Sequence, residues 1–404
     1  ASLAGERPKH RRHIMGRAER RKEERNINHA KSTGADACSI LTFVEDGRMF
    51  YKLLDHRDRY PESTPDLMLT ILPFCALAAH DSVRFVKKYF DHDFELDSAV
   101  VNRLRNASKS LSAKGSTVED YTFMTNSVTR GLSSSTKKAT GLFGPLINSL
   151  TPDMGICTHG DRPVCTTFIT ARYISQAYGG ALDPVWSEEC EKQLGFDLGV
   201  AASAAFYTVK LLTPELHTLT AKEFETCHVD CHYSDMLLPL KKQGIDNAAC
   251  FFMLAEFLVQ LNAVFALSEN EMFDDVFRMK YGTAVLLALD GSISRFANCV
   301  MPKPSEYGFT ADGALVLSTL VPKEVRKRVR ASKDLRNAFV HYDFSGLLGM
   351  QACKGKSADE LLIEATRKTV KMDPGDYLCW LDESMTMMAK RIDDLISLPA
   401  ANKG

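Results

Sequence analysis

The segment LCWLDESMTMMAKRIDDL, residues 378–395, decides the fold class. Leu378, Leu381, Met385, Met388, Ile392 and Leu395 recur at steps of three and four, which predicts a helix with a single apolar seam. A seam of that kind packs along another helix and not against a sheet. Moving toward the N-terminus, Ser357-Ala358-Asp359-Glu360 has the S-x-x-E pattern of a capping box and predicts a helix starting near Ser357. Helical periodicity covers 315–346, with a break at Pro322, and Pro302, Pro304, Gly308 and Gly313 mark a loop before it. A helix over 271–300 carries a weak point at Gly291, and Asp246 is placed to cap a helix reaching Leu267. Strand signals are sparse throughout. The expected fold is therefore mostly all-α, with a four- or five-helix bundle over 245–404.

The first 244 residues read as three further regions. Residues 1–35 hold ten Lys/Arg against four Asp/Glu, a charge of +6 that leaves −7 on the rest of a chain whose net charge is −1. With almost no apolar anchor, this predicts a flexible basic arm that keeps the chain in solution or contacts RNA or a partner. Residues 36–144 read as helical: Ser63-Thr64-Pro65 starts a helix before the apolar run 67–79, and 81–89 keeps the same rhythm. The Ser-, Thr-, Lys- and Gly-rich stretch 107–144 reads as an inter-domain linker. A middle region, 145–244, contains helical candidates at 168–176 and 188–212.

Composition excludes several classes. Hydrophobic residues at 45% and charged residues at 25% do not fit a disordered, collagen-like or multi-spanning membrane chain. The most apolar long segment, 248–267, is interrupted by Glu256, Gln260 and Asn262, groups costly at a bilayer centre, so a buried core helix is expected and no membrane partner. Eleven scattered cysteines and no visible secretory signal suggest a reducing cytoplasm. There is no P-loop, since 131–138 lacks the second glycine, and no H-E-x-x-H, G-x-S-x-G, C-x-x-C or G-x-G-x-x-G motif. Asp91-His92-Asp93 lacks the Gly-Ser turn a nucleotidyltransferase needs and reads as a solvated loop.

One cluster suggests a metal. Cys227-His228-Val229-Asp230-Cys231-His232 spaces Cys227 and Cys231, and His228 and His232, four apart, which on a helix places each pair on one face. Cys157, His159 and Cys165 are available to complete a tetrahedral set, and thiolate with imidazole suits a structural zinc.

The densest basic stretch of the folded body is PKEVRKRVRASKDLRNAFVHY, residues 322–342. Lys323, Arg326, Lys327, Arg328, Arg330 and Lys333 are candidates for sequence-blind attraction to an RNA backbone. At about 100° per residue, Leu335, Ala338, Phe339 and Tyr342 form one stripe while Arg336, Asn337 and His341 project from the other half. A histidine such as His341 is suited to general acid–base work, and the fork of Arg336 matches two phosphate oxygens. Those are the needs of RNA cleavage by its own 2'-hydroxyl, without metal or other cofactor, with Asn337 orienting the imidazole or the phosphate. Arg336 and His341 diverge by about 140°, so one helix alone does not close them around one phosphate, whereas two copies across a two-fold axis do.

Arg336-Asn337-x-x-x-His341-Tyr342 within a C-terminal helical bundle resembles the R-x(4-6)-H motif of the HEPN superfamily (higher eukaryotes and prokaryotes nucleotide-binding domains). The resemblance covers about 246–404. It implies an all-α domain that forms a homodimer and, in active members, a metal-independent endoribonuclease of toxin–antitoxin, abortive-infection or other antiviral systems. On that basis Arg336 and His341 are catalytic, Asn337 supports them, and an antitoxin or regulatory protein is a partner. The alternative it implies is a non-catalytic RNA- or protein-binding helical module.

Overall fold

The structure is a computed structural model that describes residues 34–90, 98–136, 152–177, 219–271 and 273–399, together with the isolated positions 199 and 209. The basic arm up to residue 33, Asp91-His92-Asp93, the end of the expected linker (137–144) and, apart from those two positions, the helix expected over 188–212 lie outside the described residues. What is described is mostly helical, 74% helix against 6% strand, as the periodicity predicts.

Two long helices, α1 (Ala37–Arg59) and α2 (Thr64–Phe90), are followed by α3 (Ser98–Ala107) and α4 (Val118–Thr136). Helix α4 occupies the stretch read as a linker. Its Ser- and Thr-rich sequence still turns Tyr121, Thr125 and Val128 into the interior, and it packs on α5 (Thr167–Ala177) and α7 (Ala248–Glu269). Three strands, β1 (Met154–His159), β2 (Arg162–Thr166) and β3 (Cys227–Cys231), form an antiparallel sheet in the order β2-β1-β3. Helix α6 (Tyr233–Lys242) leads into α7, which is capped not by Asp246 but by Asn247, whose side chain accepts from the Cys250 amide. Asp246 pairs with Lys241 instead.

Helix α8 (Asp275–Val300) runs through Gly291 unbroken, and α9 (Ala311–Ser318) ends ahead of Pro322. The basic stretch is two helices, α10 (Lys323–Ala331) and α11 (Lys333–His341), separated at the buried Ser332, whose hydroxyl donates to the Val329 carbonyl. Short α12 (Phe344–Leu348) and α13 (Met350–Cys353) precede α14 (Ala358–Thr369), which begins with the expected capping box of Ser357 and Glu360. The last helix, α15 (Pro374–Ile396), buries Leu378, Leu381, Met385, Met388 and Ile392, while Ile396 and not the half-buried Leu395 completes the seam. Its partners include α7 and α8, and Gly282 permits the approach: a β-carbon there would stand 2.9 Å from the Met385 sulfur.

The buried apolar residues from Ala35 to Leu398 form one contiguous cluster, so the core crosses the boundary expected near residue 245. Helices α1 and α2 pack directly on α14, α11 and α8. Among the described residues two helices, α2 and α7, have the length and apolarity of a membrane span, and their most apolar windows are 78% and 94% buried inside the protein.

Candidate functional site

Helix α11 presents its apolar stripe inward, with Leu335, Ala338, Phe339 and Val340 buried, and leaves Arg336, Asn337 and His341 half-buried. Its end is set by Tyr342, which takes a left-handed conformation at φ 50° that a non-glycine residue adopts only at a cost. Burial of the ring supports that conformation: it meets Phe43 and Phe85 edge-on, and its hydroxyl hydrogen-bonds to Ser82 (3.0 Å) and to the Asp46 carboxylate. Because Tyr342 reaches Ser82, the preceding residue meets the residue preceding Ser82, and the His341 Nδ1 lies 2.9 Å from Asp81 Oδ1.

Asp81 is the hub of the site. It is buried on α2, and it accepts from Arg105 Nε of α3 at 3.0 Å, while the His80 Nδ1 stands 3.1 Å from the same oxygen that faces His341. Burial alone would raise its carboxyl, but the bonds from His341 and His80 and the charge of Arg105 hold it well below the usual carboxylate range. An ionised Asp81 takes the Nδ1–H of His341 and leaves Nε2 as the basic nitrogen, with no partner among the described residues. The two imidazoles share one oxygen, so their Nδ1 atoms are at most 6.0 Å apart.

Beyond Asp81 the charges do not balance. Arg336 donates to the Asn337 side-chain oxygen at 3.0 Å and has no ion-pair carboxylate among the described residues. Burial and the neighbouring Arg105 lower its pKa, with Asp81 the opposing influence. Burial, Arg105 and Arg336 together pull the Lys109 ammonium down to about 8. Arg105 is ion-paired to Asp81, while Arg336 and Lys109 feel that carboxylate at longer range. Arg336 and Lys109 line an inner crevice with Gln260. Asn337 and His341 line an outer cleft of about 350 Å³ whose rims carry Asp334, Asp343 and Lys368. Arg336 and His341 thus line different cavities of the one chain.

The six basic residues of α10 and the α10–α11 junction divide by role. Arg326 and Arg330 each place Nε 2.8 Å from one oxygen of the buried Asp290 on α8, and Arg328 lies over the Trp380 ring at 5.2 Å. Those three hold α10 on the bundle. Lys323, Lys327 and Lys333 are exposed and form no ion pair among the described residues, so they remain the free cations of the stretch.

The metal set expected from 227–232 is not formed, because the segment is a strand and not a helix. Four residues along a strand span about 13 Å, too far for Cys227 and Cys231 to share an ion. His232 lies past the strand as the residue before α6. His159 is committed to the Glu225 carbonyl (2.8 Å) and stacks on Phe224, and the Cys165 thiol lies against Thr166 and Thr170. His228 alone of the four joins a metal-competent group, with Cys157 and with Asp66 of α2.

Sequence reasoning missed Asp81, His80, Arg105, Lys109 and Asp66. The available signal was His80-Asp81 ending the apolar run of α2, a polar pair on a helix otherwise directed at the core. Compared with known proteins, the chain matches no family model, no curated protein and no solved structure.

Proposed function

We propose that the protein is a metal-independent endoribonuclease whose site is built around Asp81. The observation that carries this reading is a part-exposed imidazole, His341, oriented by a buried carboxylate that is itself surrounded by surplus cations. His341 Nε2 removes the proton of a ribose 2'-hydroxyl, the 2'-oxygen attacks phosphorus, and the P–O5' bond breaks to leave a 2',3'-cyclic phosphate. The departing 5'-oxygen takes a proton from a second imidazole, a role this reading gives to His80, which is hydrogen-bonded to the same carboxylate. Arg336, contributed by a second copy across a two-fold axis, stabilises charge developing on the phosphorane, and Lys323, Lys327 and Lys333 guide the RNA backbone. A homodimer belongs to this reading, because within one chain Arg336 and His341 line different cavities.

The test uses the purified full chain, a short RNA and a chelator. Cleavage is expected to give a cyclic-phosphate end, to stop when the ribose at the cut is 2'-deoxy, and to fall in His341→Ala, His80→Ala and Arg336→Ala while circular dichroism is unchanged. RNA binding without cleavage by the parent protein would favour a non-catalytic RNA-binding module.

A further inference from the structure

The sheet carries a second cluster of chemistry, remote from the Asp81 site. In the antiparallel register Cys157 of β1 stands directly opposite His228 of β3, so the two side chains leave the same face of the sheet. Asp66, in the first turn of α2, closes over that face, with Oδ2 2.9 Å from His228 Nε2. One thiol, one imidazole nitrogen and one carboxylate oxygen thereby lie within 4.8 Å of one another. Tetrahedral zinc sets its ligand atoms about 3.3–3.8 Å apart, so side-chain adjustments of about 1 Å close the set. The Thr226 hydroxyl donates to the same Asp66 oxygen, a contact of the kind that orients a ligating carboxylate. Cys157 is buried, whereas His228 is 64% exposed, which leaves one side open to solvent.

We infer that Asp66, Cys157 and His228 bind one zinc ion, with water in the fourth position. Binding replaces the proton shared by Asp66 and His228 and releases the thiol proton of Cys157, so the ion is held by one nitrogen, one sulfur and one oxygen. An S/N/O set of this softness selects zinc over magnesium or calcium. The ion would fasten the start of α2 to two strands whose sequence positions are 91 and 162 residues away. It stands about 22 Å along α2 from Asp81, so it is a clasp and takes no part in the proposed RNA chemistry.

The experiment is cobalt substitution of the metal-stripped full chain, read by absorption spectroscopy, alongside zinc analysis of the protein purified without chelator. One equivalent of zinc is expected. Cobalt should produce a sulfur-to-metal charge-transfer band and the strong visible bands of a four-coordinate ion. Cys157→Ser should abolish the charge-transfer band, Asp66→Asn should weaken cobalt affinity at least tenfold, and Cys379→Ser should change neither. Circular dichroism of Asp66→Asn, a near-isosteric change, separates lost ligation from lost folding. The inference is overturned if the parent shows no charge-transfer band, or if the band survives Cys157→Ser. Cleavage of RNA by a folded Cys157→Ser protein would leave the proposed function standing whichever way the metal result falls.

Discussion

Consecutive residues at the end of α11 enter two different ionic clusters. Tyr342 reaches Asp46, and His341 reaches Asp81. Asp46 also binds the Lys280 ammonium and accepts from the Tyr281 hydroxyl at 2.8 Å, with every member at or below 1% exposure. One carboxylate there meets one ammonium and two neutral hydroxyls, so charge and hydrogen-bonding capacity are both satisfied without solvent. Asp81 meets Arg105 and two imidazoles, with Lys109 and Arg336 as further cations, and its partner His341 keeps 36% of its side chain exposed. Balance with closure marks a structural cluster. The Asp81 cluster is part-open and richer in cations, and the proposed function rests on that difference.

The contrast is sharpest at the junction itself. His341→Ala is expected to lower RNA cleavage by about 10²–10⁴-fold with little change in the unfolding midpoint, since the lost group is part-exposed. Tyr342→Phe should do the reverse, costing about 1–2 kcal/mol by leaving Asp46 and Ser82 short of a partner, while cleavage per folded molecule stays within a fewfold. Parallel kinetics and urea titrations of the two variants decide this; equal effects on both readouts would erase the distinction between the clusters.

Within the sealed cluster, Asp46→Ala strands the Lys280 ammonium, whose pKa burial already lowers, and should destabilise by about 3–5 kcal/mol in urea unfolding. Within the open one, Lys109 carries a folded-state value of about 8, below that of an unfolded lysine near 10.4. Between those values the unfolded chain binds the proton that the folded chain has lost, so this residue makes stability rise with pH across that window. On the proposed reading anion binding goes the other way, because the charge that would attract the anion disappears as pH passes about 8. Thermal shifts induced by sulfate should shrink from pH 7 to pH 9 in the parent, and Lys109→Met should flatten that dependence.

The smallest effects belong to α10. Each of Lys323→Ala, Lys327→Ala and Lys333→Ala should reduce the salt dependence of RNA binding by about one counterion and leave the melting temperature unchanged. Arg326→Ala, which removes one of two guanidinium partners of buried Asp290, should lower the melting temperature and serve as the structural counterpart.

Patterns confined to one helix were legible in advance: the seam of α15, the capping box at Ser357, and the division of α11 into a buried stripe and a polar half. The α4 helix was not, because Ser and Thr favour turns locally and only contact with α5 and α7 overrides that preference. The Cys/His run failed for a related reason, since four-residue spacing implies a shared face on a helix but a distance of about 13 Å on a strand. Of the proposed site, Arg336, Asn337 and His341 could be named from spacing, while their counter-charges could not.

Periodicity, caps and local charge are properties of neighbours in the chain, and from them the amino-acid order alone determined a helical protein with a basic helix leading to an arginine and a histidine. Which carboxylate meets the histidine is a matter of packing. His341 and Asp81 are 260 positions apart, Asp81 and Arg105 are 24 apart, and Asp66 and His228 are 162 apart. Only the burial of α2 against α11, α3 and the sheet sets those distances, because the apolar faces that drive that packing carry no record of which polar groups they will bring together.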